Sequence, residues 1–189
     1  MSQTTDPAAA PAGQPMPPLV VNVQYIKDLS FEVPNAPEIY ATLRSQPAVQ
    51  INLDVQARTL QEGQNVYEVV LAVKAEARET VANGTAQVTP GQNGTAQASA
   101  GQPAEGRPVF IAELQYAGVF TLNGVPPESV EPLLLIECPR LLFPFARSIL
   151  SDITREGGFP PVLLQPIDFV GLWQSRRQAQ GSAPQVASN

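Results

Sequence analysis

Apolar and polar residues alternate most regularly in the first half of the chain. Every second residue from Val49 to Ala57 is apolar, and Gln, Asn and Asp occupy the positions between them. The same period of two returns from Tyr67 to Ala75. Because the side chains of a strand point alternately to opposite faces, both segments predict half-buried β-strands, with Gln61–Gln64 as the turn. The pattern therefore predicts an antiparallel hairpin over Val49–Ala77.

Two further strands are predicted, one on either side of this hairpin in the sequence. Before it, apolar and polar residues alternate from Val21 to Phe31, with an irregularity near Lys27–Asp28. After it, one face of a fourth strand is formed by Phe110, Ala112, Leu114, Tyr116 and Phe120. Ala117–Pro132 is rich in turn residues and predicts a crossover.

Helical spacing replaces alternation in the last third of the chain. Apolar residues at Leu142, Phe145, Ile149 and Ile153 predict a long helix that starts near Cys138 and is closed by Gly157-Gly158. Asp168 is a suitable N-cap for a shorter helix that bears Leu172 and Trp173. Four strands followed by two helices predict an α+β fold, in which a four-stranded antiparallel sheet carries a long and a shorter C-terminal helix on one face.

Composition sets the predicted limits of this domain. Residues 1–18 and 179–189 are predicted to be disordered tails, because small and polar residues cannot bury enough surface to offset the entropy of ordering. Residues 80–106 contain the pentapeptide NGTAQ twice and read as a flexible insertion. The folded domain is therefore predicted over residues 19–178.

Charge and rare residues exclude several functions. The formal charge of −6 argues against nucleic acid or an anionic membrane as the main partner. The chain has no histidine and one cysteine, Cys138, which removes histidine-based nucleophiles, histidine metal sites and internal disulfides. The apolar runs are too short for stable membrane insertion, and no basic, apolar signal peptide precedes the domain. We expect a cytoplasmic protein that is not an enzyme and uses no cofactor.

Several segments, in this order, resemble the SecB family of protein-export chaperones. They are YIKDLSFEVPNAP (Tyr25–Pro37), NVYEVVLAV (Asn65–Val73), FIAELQYAGVF (Phe110–Phe120), CPRLLFPFARSIL (Cys138–Leu150) and LQPIDFVGLW (Leu164–Trp173). The resemblance implies a homotetramer, a dimer of dimers, that binds unfolded preproteins and passes them to the SecA motor ATPase. An edge strand would form the dimer, and the helix Leu142–Ile153 would form the tetramer.

The resemblance also implies two binding surfaces. The motor-contact surface would use the acidic residues Asp28, Glu32 and Glu113 with the apolar Ile111 between them. The groove for unfolded precursors would be lined by apolar residues of the crossover and the helices: Phe120, Leu122, Val125, Leu141, Leu142, Ile149, Leu172 and Trp173. The alternative for each groove residue is the ordinary core, because an apolar helical stripe is usually buried.

Two other functions stay open from the sequence. A curved sheet against a long helix can hold an acyl chain, which would make the protein a small apolar-ligand carrier or a thioester-binding enzyme. A SecB-like chaperone dedicated to one toxin–antitoxin system is the second. The export role has one departure to accommodate, since Gly181–Asn189 carries no charged side chain, whereas relatives often end in a charged segment that docks on the motor.

Overall fold

The computed structural model describes residues 16–61, 63–80 and 106–181. Most of the two predicted tails (residues 1–18 and 179–189) and of the predicted insertion (residues 80–106) lies outside the described residues. Their disorder and flexibility stay predictions from the sequence. The described elements, in chain order, are β1 (Leu19–Glu32), α1 (Glu38–Thr42), β2 (Ala48–Gln61), β3 (Val66–Arg78), β4 (Pro108–Leu122), α2 (Pro127–Pro132), a π-helical segment (Leu133–Glu137), α3 (Cys138–Glu156) and α4 (Phe169–Gly181).

The four strands form one antiparallel sheet in the order β1-β4-β3-β2. The predicted hairpin and the α+β arrangement of a four-stranded sheet with C-terminal helices are confirmed. The ladder between β1 and β4 shifts register between Ile26 and Asp28, where the sequence predicted an irregularity, and also between Val21 and Val23. Strands β1 and β2 lie at the two edges.

Strand β4 is longer than the alternation suggested. It continues to Leu122, so the prediction that the crossover begins at Ala117 is wrong. Gly118 interrupts the apolar pattern because a Cβ there would stand only 2.7 Å from the Phe120 ring and 3.0 Å from a methyl group of Leu142. The gap in the pattern is a packing requirement and not the end of the strand.

The core lies between the sheet and the helices. Alternate residues of β4, such as Phe110, Ala112 and Leu114, are buried there, and their neighbours on β3 complete the layer. From α3, the core takes a stripe spaced by four residues, namely Cys138, Leu142, Ala146, Leu150 and Thr154. Such a stripe is the apolar face that a helix presents to a sheet. The other face of the sheet is not covered by these helices.

The long helix α3 begins at Cys138, as the sequence predicted, and α2 and the π-helical segment precede it without a break. Helices α2 and α3 are joined by the π-helical segment, where the Cys138 amide donates to the Leu133 carbonyl five residues back. The wider turn precedes Pro139, whose ring would crowd the carbonyl four residues earlier in a regular α-helix. Pro127 opens α2 at a position where proline is well tolerated.

The predicted glycine cap at the end of α3 is confirmed. Gly158 has a φ of +85°, and its amide donates to the Arg155 carbonyl while the Phe159 amide donates to the Thr154 carbonyl. These two bonds define a Schellman motif. The cap directs Phe159 back into the core, where its ring lies 5.1 Å from that of Phe110.

Candidate functional site

The four residues of the predicted motor-contact surface lie on one face of the sheet. On β4, Ile111 and Glu113 alternate with core residues, so they point away from the helices. On β1, Glu32 lies directly opposite Ile111, and Asp28 lies opposite Gln115, which has the same orientation as Glu113. We call the surface formed by Asp28, Glu32, Ile111 and Glu113, with Lys74 and Glu76 of β3 beside them, the acidic face.

Some of the carboxylates on the acidic face are already paired with cations of the same chain. The Lys74 ammonium lies 2.6 Å from Glu113, its direct cross-strand neighbour, and Arg78 forms an ion pair with Glu76. Within the described part of the chain, neither Asp28 nor Glu32 takes part in an ion pair. The two β1 carboxylates are therefore available to a basic partner, whereas the β4 carboxylate is already engaged.

A buried carboxylate lies further along the same side of the sheet. Glu68 of β3 is only 2% exposed, and it accepts hydrogen bonds from Tyr25, from Lys27 at 2.8 Å and from Arg58 at 2.5 Å. The Arg58 hydrogen bond, assisted by those of Lys27 and Tyr25, lowers the pKa of Glu68 to about 2, against the opposing effect of burial. This cluster was not predicted from the sequence. A glutamate inside the apolar run VYEVV was the available signal.

Three of the predicted groove residues belong to the core. Phe120, Leu122 and Leu142 are 0–2% exposed, and the Phe120 ring and Leu142 meet at Gly118 beneath the sheet. A client chain cannot contact them while the sheet and α3 are packed together. The extended strand β4 and the inward face of α3 hold these three side chains inside the single chain, and their assignment to the groove stays a prediction.

The other predicted groove residues are closer to the surface, but they are not gathered in one place. Val125, Ile149 and Leu172 are half-buried against the core. Leu141 of α3 is exposed. Of the predicted set, Trp173 lines a groove that the structure forms between β2, the π-helical segment and α4.

This groove, which we call the β2 groove, has a volume of about 450 Å³. Its walls combine apolar residues with charged ones: Val55, Gln56, Ala57, Glu131, Leu134, Leu135, Trp173, Arg176 and Arg177. The Trp173 indole donates to Glu131 at 3.1 Å, and the Arg177 guanidinium lies 5.0 Å from the centre of the indole ring. This groove was not predicted from the sequence, because Glu131 and Leu134 were placed outside the predicted helices. Pro127, a favourable first residue of a helix, and the helical spacing of Val130 and Leu134 were the signals that these residues are helical.

Arg176 closes one side of the β2 groove. Its guanidinium donates to the Val55 carbonyl at 2.6 Å and forms an ion pair with Asp54. Val55 is on an edge strand, where an unpaired carbonyl would otherwise face solvent or another strand. Arg176 therefore occupies a backbone acceptor of this edge.

Two sets of exposed apolar residues bear on assembly, one on the edge strand β1 and one on α3. The first set follows the free edge strand β1 and consists of Val21, Val23, Ile26 and Leu29. The second set is Leu141 and Phe145 on one flank of α3, where the Phe145 ring stacks on Tyr116 of β4 with ring centroids 5.9 Å apart. Leu142, which the sequence assigned to the contact helix, points into the core instead.

Cys138 offers no nucleophile. The residue is fully buried, and burial together with the neighbouring Glu137 raises the pKa of the thiol to about 12. A thiolate is the reactive form of cysteine, so at neutral pH this thiol acts as a small apolar side chain. A thioester-forming role for the residue thus has no chemical support.

Within residues 16–61, 63–80 and 106–181, no helix has both the length and the apolar character needed to cross a membrane.

Comparisons with known proteins agree on one family. The family model described as preprotein translocase subunit SecB matches residues 12–180. The protein-export protein SecB of Granulibacter bethesdensis is 60% identical over 93% of this chain and 92% of its own length. That of Gluconacetobacter diazotrophicus is 54% identical over 100% of this chain and 99% of its own length.

A solved structure has the same fold. It is the SecB-like chaperone of Mycobacterium tuberculosis in complex with an antitoxin peptide, which matches with a TM-score of 0.55 at 12% identity over 79% of this chain and 91% of its own. SecB is a family of chaperones and not of enzymes, so the prediction that the chain is not an enzyme is confirmed. The resemblance predicted from the sequence is confirmed as well, and the chain belongs to the SecB family of protein-export chaperones.

Proposed function

We propose that this protein is a general export chaperone of the cytoplasm, which binds unfolded preproteins and delivers them to the SecA motor ATPase. One observation carries the proposal: identities of 54–60% to protein-export SecB proteins extend over more than nine-tenths of the chain. The SecB-like chaperone that binds an antitoxin peptide is only 12% identical. The export role is therefore favoured over a role in a toxin–antitoxin system.

The acidic face supports docking on a basic partner. Asp28 and Glu32 lie on the same strand and point to the same face of the sheet. Ile111 of β4 lies between two carboxylates, with Glu32 opposite it on β1 and Glu76 opposite it on β3. Exposed carboxylates around an apolar contact attract a positively charged surface over some distance, and the apolar centre adds affinity once the surfaces meet. We assign this face to SecA.

The β2 groove supports binding of an extended client segment. Its apolar residues can cover client side chains without reading their sequence, because the hydrophobic effect is non-directional. Glu131 and the two arginines at its rim can meet the polar backbone and charged residues of an unfolded chain. Several such grooves in a homotetramer would hold one long client by weak, linked contacts.

The test measures both functions on the full-length protein. Light scattering should give a mass near four chains, and that mass should rise with an unfolded precursor but not with the same precursor folded. Fluorescence anisotropy should show SecA binding that Asp28→Asn with Glu32→Gln weakens about tenfold at low ionic strength, because two unpaired attractive charges are lost. Binding of the unfolded precursor should be unchanged.

The matched control is Glu128→Gln with Asp152→Asn, which removes the same charge from the helical side of the molecule. It should leave SecA affinity within about twofold of wild type. A monomer that ignores unfolded chains would overturn the chaperone proposal. Equal losses in the acidic-face variant and in the control would overturn the assignment of the acidic face.

A further inference from the structure

The acidic face contains a cation at its centre. Lys74 of β3 lies opposite Glu113 in the register, and its ammonium forms a 2.6 Å ion pair with that carboxylate. Both side chains are close to half exposed, so the pair lies on the surface and not in the core. Any partner that reaches Glu113 must do so beside Lys74.

The surroundings keep Lys74 charged. The pKa of its ammonium is raised by the hydrogen bond to Glu113 and by the nearby charge of Glu113, with further contributions from Glu76 and Glu32. Desolvation opposes this shift. The ammonium is thus in the field of three carboxylates, and one of these, Glu32, belongs to the surface assigned to SecA.

The charge balance of the face changes with this one residue. Four carboxylates (Asp28, Glu32, Glu76 and Glu113) and the two cations Lys74 and Arg78 leave a net charge of −2. Without Lys74 the net charge would be −3, and Glu113 would be free. An internal ion pair reduces both the long-range attraction of a basic surface and the number of carboxylates that it can engage.

Resting on the proposed function, we propose that Lys74 is an internal competitor for Glu113 that weakens docking of the basic surface of SecA. The motor must displace the Lys74 ammonium from Glu113 or bind only Asp28 and Glu32. Lys74 thereby limits the affinity of this chaperone for the motor, which favours release after delivery. Lys74 thus affects the affinity for SecA indirectly, through its ion pair with Glu113.

A double-mutant cycle tests the inference. Full-length wild type, Lys74→Met, Glu113→Gln and the double variant are titrated with purified SecA at low and at high salt. Lys74→Met should lower the Kd about three- to tenfold at low salt, and the gain should shrink at high salt. Glu113→Gln should weaken binding little in the wild type but at least about threefold more in the Lys74→Met background, because only there is the carboxylate free.

Arg155→Gln provides the matched control, because it removes one ion-paired cation from α3 on the helical side of the molecule. Its Kd should lie within about twofold of wild type. Light-scattering mass and the melting temperature confirm that each variant is folded and assembled. A Kd for Lys74→Met that equals that of Arg155→Gln, or that is higher than that of wild type, would overturn the inference. Additive effects of Lys74→Met and Glu113→Gln on the binding free energy would overturn it as well.

Failure of the inference is distinguishable from failure of the proposed function. If Asp28→Asn with Glu32→Gln weakens SecA binding while Lys74→Met does not tighten it, the face binds the motor and Lys74 is no competitor. If neither change alters the Kd, SecA binds elsewhere and the proposed use of the face is wrong.

Discussion

Glu68 shows how a single charged residue is kept inside an otherwise apolar sheet. An unpaired buried carboxylate would be costly, so its environment must favour the ionised form. Arg58 reaches it from the neighbouring strand β2, and Tyr25 and Lys27 reach it from β1 across β4. The cluster therefore connects the two edge strands across the sheet, next to the acidic face.

The first stability prediction concerns the pH dependence of this cluster. The folded-state pKa of Glu68 is about 2, below the ordinary value of 4.5. Its stabilisation is fully present above pH 4.5 and is lost as the pH falls from 4.5 towards 2. The shift alone corresponds to about 3 kcal/mol, but solvent reaches Lys27 and Arg58, so we expect about 1–2 kcal/mol. Urea unfolding between pH 7 and pH 3 measures this loss.

Glu68→Gln should be less stable than wild type at pH 7 by about 1–2 kcal/mol, and the difference should narrow as the pH falls towards 2. Asp152→Asn serves as the comparison, because Asp152 pairs with Arg155 on the exposed side of α3. That variant should differ from wild type by less than about 0.5 kcal/mol at every pH. A Glu68→Gln variant with the wild-type pH profile would show that the cluster does not stabilise the fold.

At the level of elements, strands and helices could be predicted from the sequence wherever one periodicity of apolar residues was maintained. The β2–β3 hairpin and the irregularity in β1 were predictable from alternation. The end of β4 was not, because Gly118 is explained by the ring of Phe120, a contact that the alternation does not encode. The helical turns before Cys138 were missed because Pro132 and Pro139 border a π-helical segment, whose spacing fits neither period. The short helix α1, which follows Pro37, was not predicted, because five residues are too few to show a helical period.

The cap of α3 gives the second stability prediction. Gly158 adopts a φ of +85°, and a Cβ there would lie 3.1 Å from the Tyr40 ring. Gly158→Ala should lower the free energy of unfolding by about 1–2 kcal/mol, because the left-handed conformation is unfavourable for alanine. Chemical denaturation measures this loss in the free energy of unfolding, and the m-value should be the same as that of wild type.

Gly158→Asn separates backbone strain from crowding. Asparagine tolerates the left-handed region better than alanine but brings the same Cβ towards Tyr40. If strain dominates, the asparagine variant should recover part of the stability lost in Gly158→Ala. Equal stabilities of wild type and Gly158→Ala would contradict the assigned cap.

At the level of the whole molecule, the acidic face was predictable and the groove was not. Strand parity alone puts Asp28, Glu32, Ile111 and Glu113 on a common side once the strands are paired. Groove and core, in contrast, differ only in which side of α3 meets the sheet. Leu141 and Leu142 are adjacent and chemically identical, yet the first is 42% exposed and the second is fully buried. Their roles follow from tertiary packing, which is not visible in local composition.

The exposed apolar sets on β1 and α3 support the proposed dimer of dimers. An edge strand with free backbone groups and exposed Val23 and Ile26 is suited to pairing with a second copy. Leu141 and Phe145 form the second set on α3, and Phe145 stacks on Tyr116, the cross-strand partner of Ile26, so the two sets adjoin there. Since closed symmetric assemblies use self-complementary surfaces, an exposed edge strand and an exposed flank of α3 on each chain can supply the two kinds of contact of a tetramer.

Substitutions can separate the two contacts by mass. Phe145→Asp should convert a tetramer to dimers joined through β1, and Val23→Glu should leave dimers joined through α3, because each change puts charge into one apolar contact. Combining them should give monomers. Leu163→Asp makes the same kind of change at an exposed leucine outside both sets and should keep the wild-type mass. Light scattering on the four proteins, each checked for folding by circular dichroism, measures this. A tetramer that survives the combined substitutions would mean that copies of this chain meet through other surfaces.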